Sequence, residues 1–141
     1  MHTDQIQLKA IQASVHPFCL VCSGSNPYGL ALKFDVNDDG SVTASFTGNP
    51  AVEGFRGLLH GGMIASLLDG AMTNCLFAHG LVAATAELKV RYRKPVAIGC
   101  EIRVRAWMEK SYPPLHLMRA ELNQECCVKA TAAGKFIEHH E

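Results

Sequence analysis

Between Gly61 and Ala78 the chain carries a single formal charge, Asp69, in an otherwise apolar or small-residue stretch. A carboxylate in such surroundings costs free energy unless it is hydrogen-bonded or paired, and desolvation raises its pKa. A general base or nucleophile working near neutral pH needs that kind of adjustment. On a helix, Ser66 and Thr73 lie one turn to either side of Asp69 and can help solvate it. The ordinary alternative is a carboxylate that faces solvent, but no Lys, Arg or Glu marks a wet face on this stretch. Structural carboxylates are perturbed too, so composition alone leaves the two readings level.

The opening of the same stretch is His60-Gly61-Gly62. Helices usually open with Ser, Thr, Asp or Asn, whose side chain occupies the free backbone N–H groups. Here the imidazole is the one side-chain acceptor between Leu58 and Met63, and two glycines permit close approach. Bare N–H donors at the positive end of a helix suit a polarised carbonyl or a developing oxyanion. A glycine-bearing turn into a helix is common, so His-Gly-Gly by itself is weak. The pairing with Asp69 nine residues on is what makes it strong.

These residues need elements to position them. The 141 residues, 48% hydrophobic and 18% charged, suit one domain (1–141) with a real core. Residues 4–14 read as a short amphipathic helix with Ile6, Leu8 and Ile11 as apolar points, within a possible N-terminal helix over 1–15. Residues 16–28, rich in Cys, Ser, Asn, Pro and Gly, read as an ordered loop. Leu30, Leu32, Phe34 and Val36 alternate, as do Val42, Ala44 and Phe46, around a turn at Asn37-Asp38-Asp39-Gly40. After a loop over 48–59, the spacing of Ile64, Leu68, Ala71 and Cys75 predicts a helix from about Gly61 to Ala78. Four period-two segments follow, around Ala86–Tyr92, Ile102–Met108, 115–123 and Val128–Phe136. The order predicts an α+β fold: an antiparallel sheet of about six strands wrapped around one long central helix. Open sheet edges predict pairing with a second copy.

His60 through Asp69, read as His-Gly-Gly-Met-Ile-Ala-Ser-Leu-Leu-Asp, resembles the signature of hotdog-fold acyl-CoA thioesterases of the PaaI type. The resemblance continues through Ala84–Pro95, and upstream through Cys19–Cys22 and Asn26–Leu30, covering roughly residues 16–137. It implies a hotdog fold and hydrolysis of an acyl- or aryl-acyl-CoA to the free acid and CoA, with no cofactor. Asp69 matches the catalytic carboxylate, Gly61 the backbone donor to the thioester carbonyl, His60 a positioning histidine and Thr85 a hydroxyl that orients water. It further implies a homodimer, or a dimer of dimers. His60 and Gly61 of one subunit would face Asp69 and Thr85 of the other. Gly62, Ser66 and Thr73 join the substrate-binding set. Some relatives carry Asn or Gln six residues before the histidine, where this chain has Gly54, with Glu53 adjacent as a possible substitute. Strict alternation puts Thr85 on the face of Glu87 and Lys89, away from the helix. Either the strand starts after Thr85, or its hydroxyl serves the partner's site.

Coenzyme A brings phosphates. Lys89, Arg91, Arg93, Arg103 and Arg105, with Lys94, form basic rows from which two or three contacts are expected, chiefly Arg91, Arg93 and Lys94. Each taken singly is more simply a solvated strand residue. Thirteen basic and thirteen acidic residues point away from a nucleic-acid partner. No signal-like start and no long apolar run is present, so the expectation is a cytoplasmic protein without a membrane span. Adjacent Cys126 and Cys127, and Cys75 in the helix, favour reduced thiols over disulfides. His16-x-x-Cys19-x-x-Cys22 has the spacing of three metal ligands, with Cys126, Cys127, His139 or His140 as a possible fourth. A lone Cys-x-x-Cys is a weak signal, so packing thiols and no metal are expected. Trp107 and Phe55 are expected in the core, with an acyl pocket as the alternative. The competing functions are a non-catalytic acyl-CoA-binding module, a hotdog dehydratase and a zinc-stabilised interaction domain. A buried Asp69 argues for the hydrolase.

Overall fold

A computed structural model describes residues 2–139. At its centre lies the long helix, here α2 (Gly61–Ala78). Every residue from Gly70 to Ala78 is buried, and Leu67, Leu68, Ala71, Met72, Cys75 and Leu76 are 0% exposed. A helix apolar on all sides must be surrounded. One antiparallel sheet does this with β1 (Asp35–Val36), β2 (Val42–Thr47), β3 (Ala83–Tyr92), β4 (Glu101–Tyr112), β5 (Leu115–Gln124) and β6 (Cys127–Glu138). Their spatial order is β1-β2-β4-β5-β6-β3, the arrangement of the hotdog fold. Alternate residues (Ile102, Val104 and Ala106 on β4, Met118, Ala120 and Leu122 on β5, Ala130, Ala132 and Phe136 on β6) are buried in the core that packs around α2.

The first strand is shorter than its alternation predicts. Ala31 adopts φ 52°, a left-handed value that interrupts an extended run. Leu30 and Leu32 donate instead to Leu20 and Val21 of the preceding loop, and the ladder to β2 is limited to Asp35 and Val36. The buried alternation of Leu32, Phe34 and Val36 is retained without a full ladder. The N-terminal helix α1 (His2–Val15) covers this edge, where Gln5 accepts from the Val36 N–H and donates to the Phe34 carbonyl. Leu8 is buried and Ile11 half-buried, whereas Ile6 points away at 67% exposure and is not part of the apolar face.

β3 ends the sheet. It pairs with β6 on one side, and all but Ala83 and Val90 of its residues are exposed. Its register with β6 slips between Thr85, opposite Phe136, and Glu87, opposite Lys135. One extra residue, Ala86, is accommodated as a β-bulge.

Candidate active site

The front of α2 differs from its back. Gly62, Ala65, Ser66 and Asp69 are not buried, and they recur at the three-to-four-residue spacing of one helical stripe. One turn further on, Thr73 is buried. Asp69 thus sits, half-buried, where the open stripe ends.

At the helix start, His60 is the N-cap: its Nδ1 accepts from the Gly62 N–H at 2.9 Å. The expectation of wholly bare donors is therefore corrected for Gly62. With Nδ1 accepting, the proton of the neutral ring is on Nε2, which can donate outward. The Gly61 N–H, first in the helix, has no carbonyl one turn back to receive it. Tyr92, at the end of β3, donates its hydroxyl to the Gly61 carbonyl at 2.8 Å and fixes that peptide plane. Tyr92 was not anticipated as a site residue; its place in the β3 alternation was the only signal.

Thr85 reaches Asp69 within the same chain, its hydroxyl donating to Oδ1 at 2.7 Å. The bulge at Ala86 is the reason: an extra residue inverts the inward–outward pattern, so Thr85 faces the helix while Glu87 points out towards Lys135. The strand begins at Ala83, before Thr85, so the first alternative read from strict alternation does not hold. Burial pushes the Asp69 carboxyl above its ordinary value; the Thr85 hydrogen bond opposes the rise, and the nearby Cys19 charge adds to it. The loop after α1 presses against α2 one residue beyond, at Gly70, where a Cβ would stand 2.7 Å from Val21 Cγ1. Glycine there lets the loop approach, a need visible only once the loop is in place.

The other expected residues divide. Ser66 bonds the Gly62 carbonyl of its own helix, and neither it nor Thr73 is hydrogen-bonded to Asp69. Glu53 accepts from Gly57 within its own loop, and a side chain at Gly54 would stand 3.1 Å from His60 Cα, so the missing Asn or Gln is not replaced. Lys89, Arg91 and Arg93 share a shallow groove with Arg119, and Lys94 lies beside Cys127. The basic rows do not merge: β5 and β6 separate β3 from β4, roughly 14 Å at ordinary strand spacing. Arg105 is paired with Asp39 at 3.0 Å and stacked over Trp107. Phe55 is 85% exposed and Trp107 is half-exposed, so neither is core.

The loop's His16, Cys19 and Cys22 converge, with one ligand atom from each within 4.8 Å of the others. The Cys22 thiol, His16 and the backbone N–H groups of Cys22 and Val21 hold Cys19 down at about 3, and Cys22 is driven up by the proton it shares with Cys19 and by burial. All six cysteines are free. His140 lies outside the described residues.

An antiparallel sheet wrapped on a long helix is the hotdog architecture, and here the half-buried carboxylate lies on that helix. The family described as the Thioesterase superfamily matches residues 56–112, the span from the helix opening through β4. Acyl-coenzyme A thioesterase THEM4 of Bos taurus is 31% identical over 85 residues, 58% of this chain and 35% of that protein. The chain therefore corresponds to about a third of the length of that relative. Among solved structures, the Escherichia coli PaaI protein from the phenylacetic acid degradation operon superposes with a TM-score of 0.82 at 17% identity, covering 99% of this chain and 95% of that one. A Streptococcus mutans protein bound to acetyl-CoA superposes with a TM-score of 0.72 at 15% identity, covering 78% and 90%.

Proposed function

We propose that the chain is an acyl-CoA thioesterase in which Asp69 is the catalytic carboxylate. The observation that carries this reading is the Asp69 carboxyl, pushed up by burial and oriented by Thr85 at the closed end of an open helical stripe. A pure binding module has no use for an ionisable group held there. The match to acyl-CoA thioesterases and the CoA-bound fold relative agree with a thioester substrate.

One copy does not complete the site. Gly61 and Asp69 lie eight steps apart along α2, about 12 Å at 1.5 Å per residue. A single carbonyl cannot touch both within one chain. The exposed edge strand β3, with Leu88 and Tyr92 uncovered, supplies a surface for a second copy. In a homodimer or dimer of dimers, Gly61 and His60 of one subunit would face Asp69 and Thr85 of the other.

In that arrangement the Gly61 N–H polarises the thioester carbonyl, and His60 Nε2–H positions it. Asp69 either takes a proton from water as its oxygen attacks the carbonyl carbon, or attacks that carbon itself. Collapse of the tetrahedral adduct breaks the C–S bond and releases the CoA thiolate, which takes up a proton; hydrolysis leaves the free acid. Arg91, Arg93 and Lys94 are the candidates for the nucleotide phosphates. Six free thiols agree with a reducing, cytoplasmic setting, and among the described residues no helix is long and apolar enough to cross a membrane.

The test is hydrolysis of short, medium, long and aromatic acyl-CoAs by the wild type and Asp69→Asn. Turnover of at least one class is expected, with a loss of about 10²–10⁴-fold in the folded variant. Acyl-CoA binding without turnover would replace the enzyme with a binding module. A single turnover in ¹⁸O-water separates the two routes: general-base attack labels the released acid, whereas water opening an anhydride at the aspartyl carbonyl labels Asp69.

A further inference from the structure

The thioester reading leaves the loop after α1 without a role, and that loop is built with unusual care for a surface connection. The Ser23 hydroxyl donates to the Pro17 carbonyl at 2.6 Å, the Ser23 N–H to the Cys19 carbonyl at 3.1 Å, and Leu30 and Leu32 tie the loop to the next segment. Inside it His16 Nδ1 stands 3.7 Å from Cys22 Sγ, about the separation of two ligands around a tetrahedral zinc-class ion. The imidazole is held edge-on against Phe77 of α2, with ring centres 5.0 Å apart.

The surroundings of the sulfurs are polar where a packing thiol would be apolar. Backbone N–H groups of Val21 and Cys22 hydrogen-bond to Cys19. Cys22 is buried, yet the amides of Gln12 from α1 and Asn74 from α2 lie against it. Gln12 in turn donates to Asn74 Oδ1 at 3.2 Å, and Asn74, itself 0% exposed, donates to the Gly70 carbonyl. Outer partners of this kind orient first ligands in metal sites.

We propose that His16, Cys19 and Cys22 form a site for a zinc-class divalent cation, which fastens the end of α1 and its loop to α2 at Asn74 and Phe77. Two sulfurs and an imidazole are the ligands such borderline-soft ions prefer over magnesium or calcium. Three protein ligands leave one tetrahedral position for solvent. Cysteine binds such an ion as thiolate, so affinity rises with pH. The proposal stands apart from the thioesterase reading, because metal content is measured without substrate.

The experiment is zinc titration of the reduced, chelator-stripped protein against a chromophoric chelator, with cobalt(II) as a spectroscopic probe and intact mass to verify the thiols. One equivalent of zinc, a thiolate-to-cobalt charge-transfer band and a rise in melting temperature on zinc addition are expected. Cys19→Ser and His16→Ala should weaken zinc binding by more than the roughly 10–100-fold typical of losing an outer partner. Cys126→Ser/Cys127→Ser should leave it unchanged. If Cys22→Ser fails to fold, the cobalt band of the wild type still reports sulfur ligation. Substoichiometric zinc, or zinc that survives Cys19→Ser but is lost with Cys126 and Cys127, would overturn the site. So would a Cys19–Cys22 disulfide that persists in the reduced protein and excludes the ion.

Discussion

The carboxyl of Asp69 is raised in the folded chain, so its buried charge opposes folding. That penalty is absent below the unfolded carboxylate pKa of about 3.9 and is fully present once the pH has risen through the higher folded value. Asp69→Asn removes it. The variant should melt above the wild type at neutral pH, with the gap closing on acidification; thermal melts from pH 4 to pH 8 read this directly, and a variant that melts lower at neutral pH would contradict it. Thr85 acts in the opposite sense, since its hydroxyl favours the charged form. Thr85→Val should therefore shift the acid limb of the kcat/KM profile to higher pH while the protein stays folded. Both effects require a carboxylate oriented by its neighbour, and a solvent-facing Asp69 would show neither.

At the scale of elements, the site depends on two irregularities and one close approach. The bulge at Ala86 turns Thr85 inward, and Tyr92 at the far end of β3 secures the Gly61 peptide. Gly70 is where the loop meets the helix. Gly70→Ala would place a methyl 2.7 Å from Val21 Cγ1, forcing the loop outward and costing about 1–3 kcal/mol, the usual range for an overpacked core. Chemical denaturation measures it, and the companion Val21→Ala should restore part of the loss if the contact is the cause. α2 was legible because its length and apolar spacing are local properties. The bulge was not, since nothing in Ala84-Thr85-Ala86-Glu87 departs from alternation until β6 supplies the register.

For the whole molecule, the open edge at β3 and the separation of Gly61 from Asp69 along one helix lead to the same expectation. Activity should belong to an assembly. Sedimentation should find a dimer or tetramer, and specific activity should fall on dilution through the dissociation range. A fully active monomer would remove the shared site and, with it, the role given to Gly61.

The amino-acid sequence by itself determined the order of elements, the central helix and Asp69 as its single charge, because helical and strand periodicities are written in neighbouring residues. Tertiary structure alone decided which face Thr85 presents, that the arginines of β3 and β4 lie on separated strands, and that His16, Cys19 and Cys22 meet against α2. Each of those depends on pairings between segments far apart in the chain, where a one-residue slip reverses a face and strand order, not sequence order, sets distance.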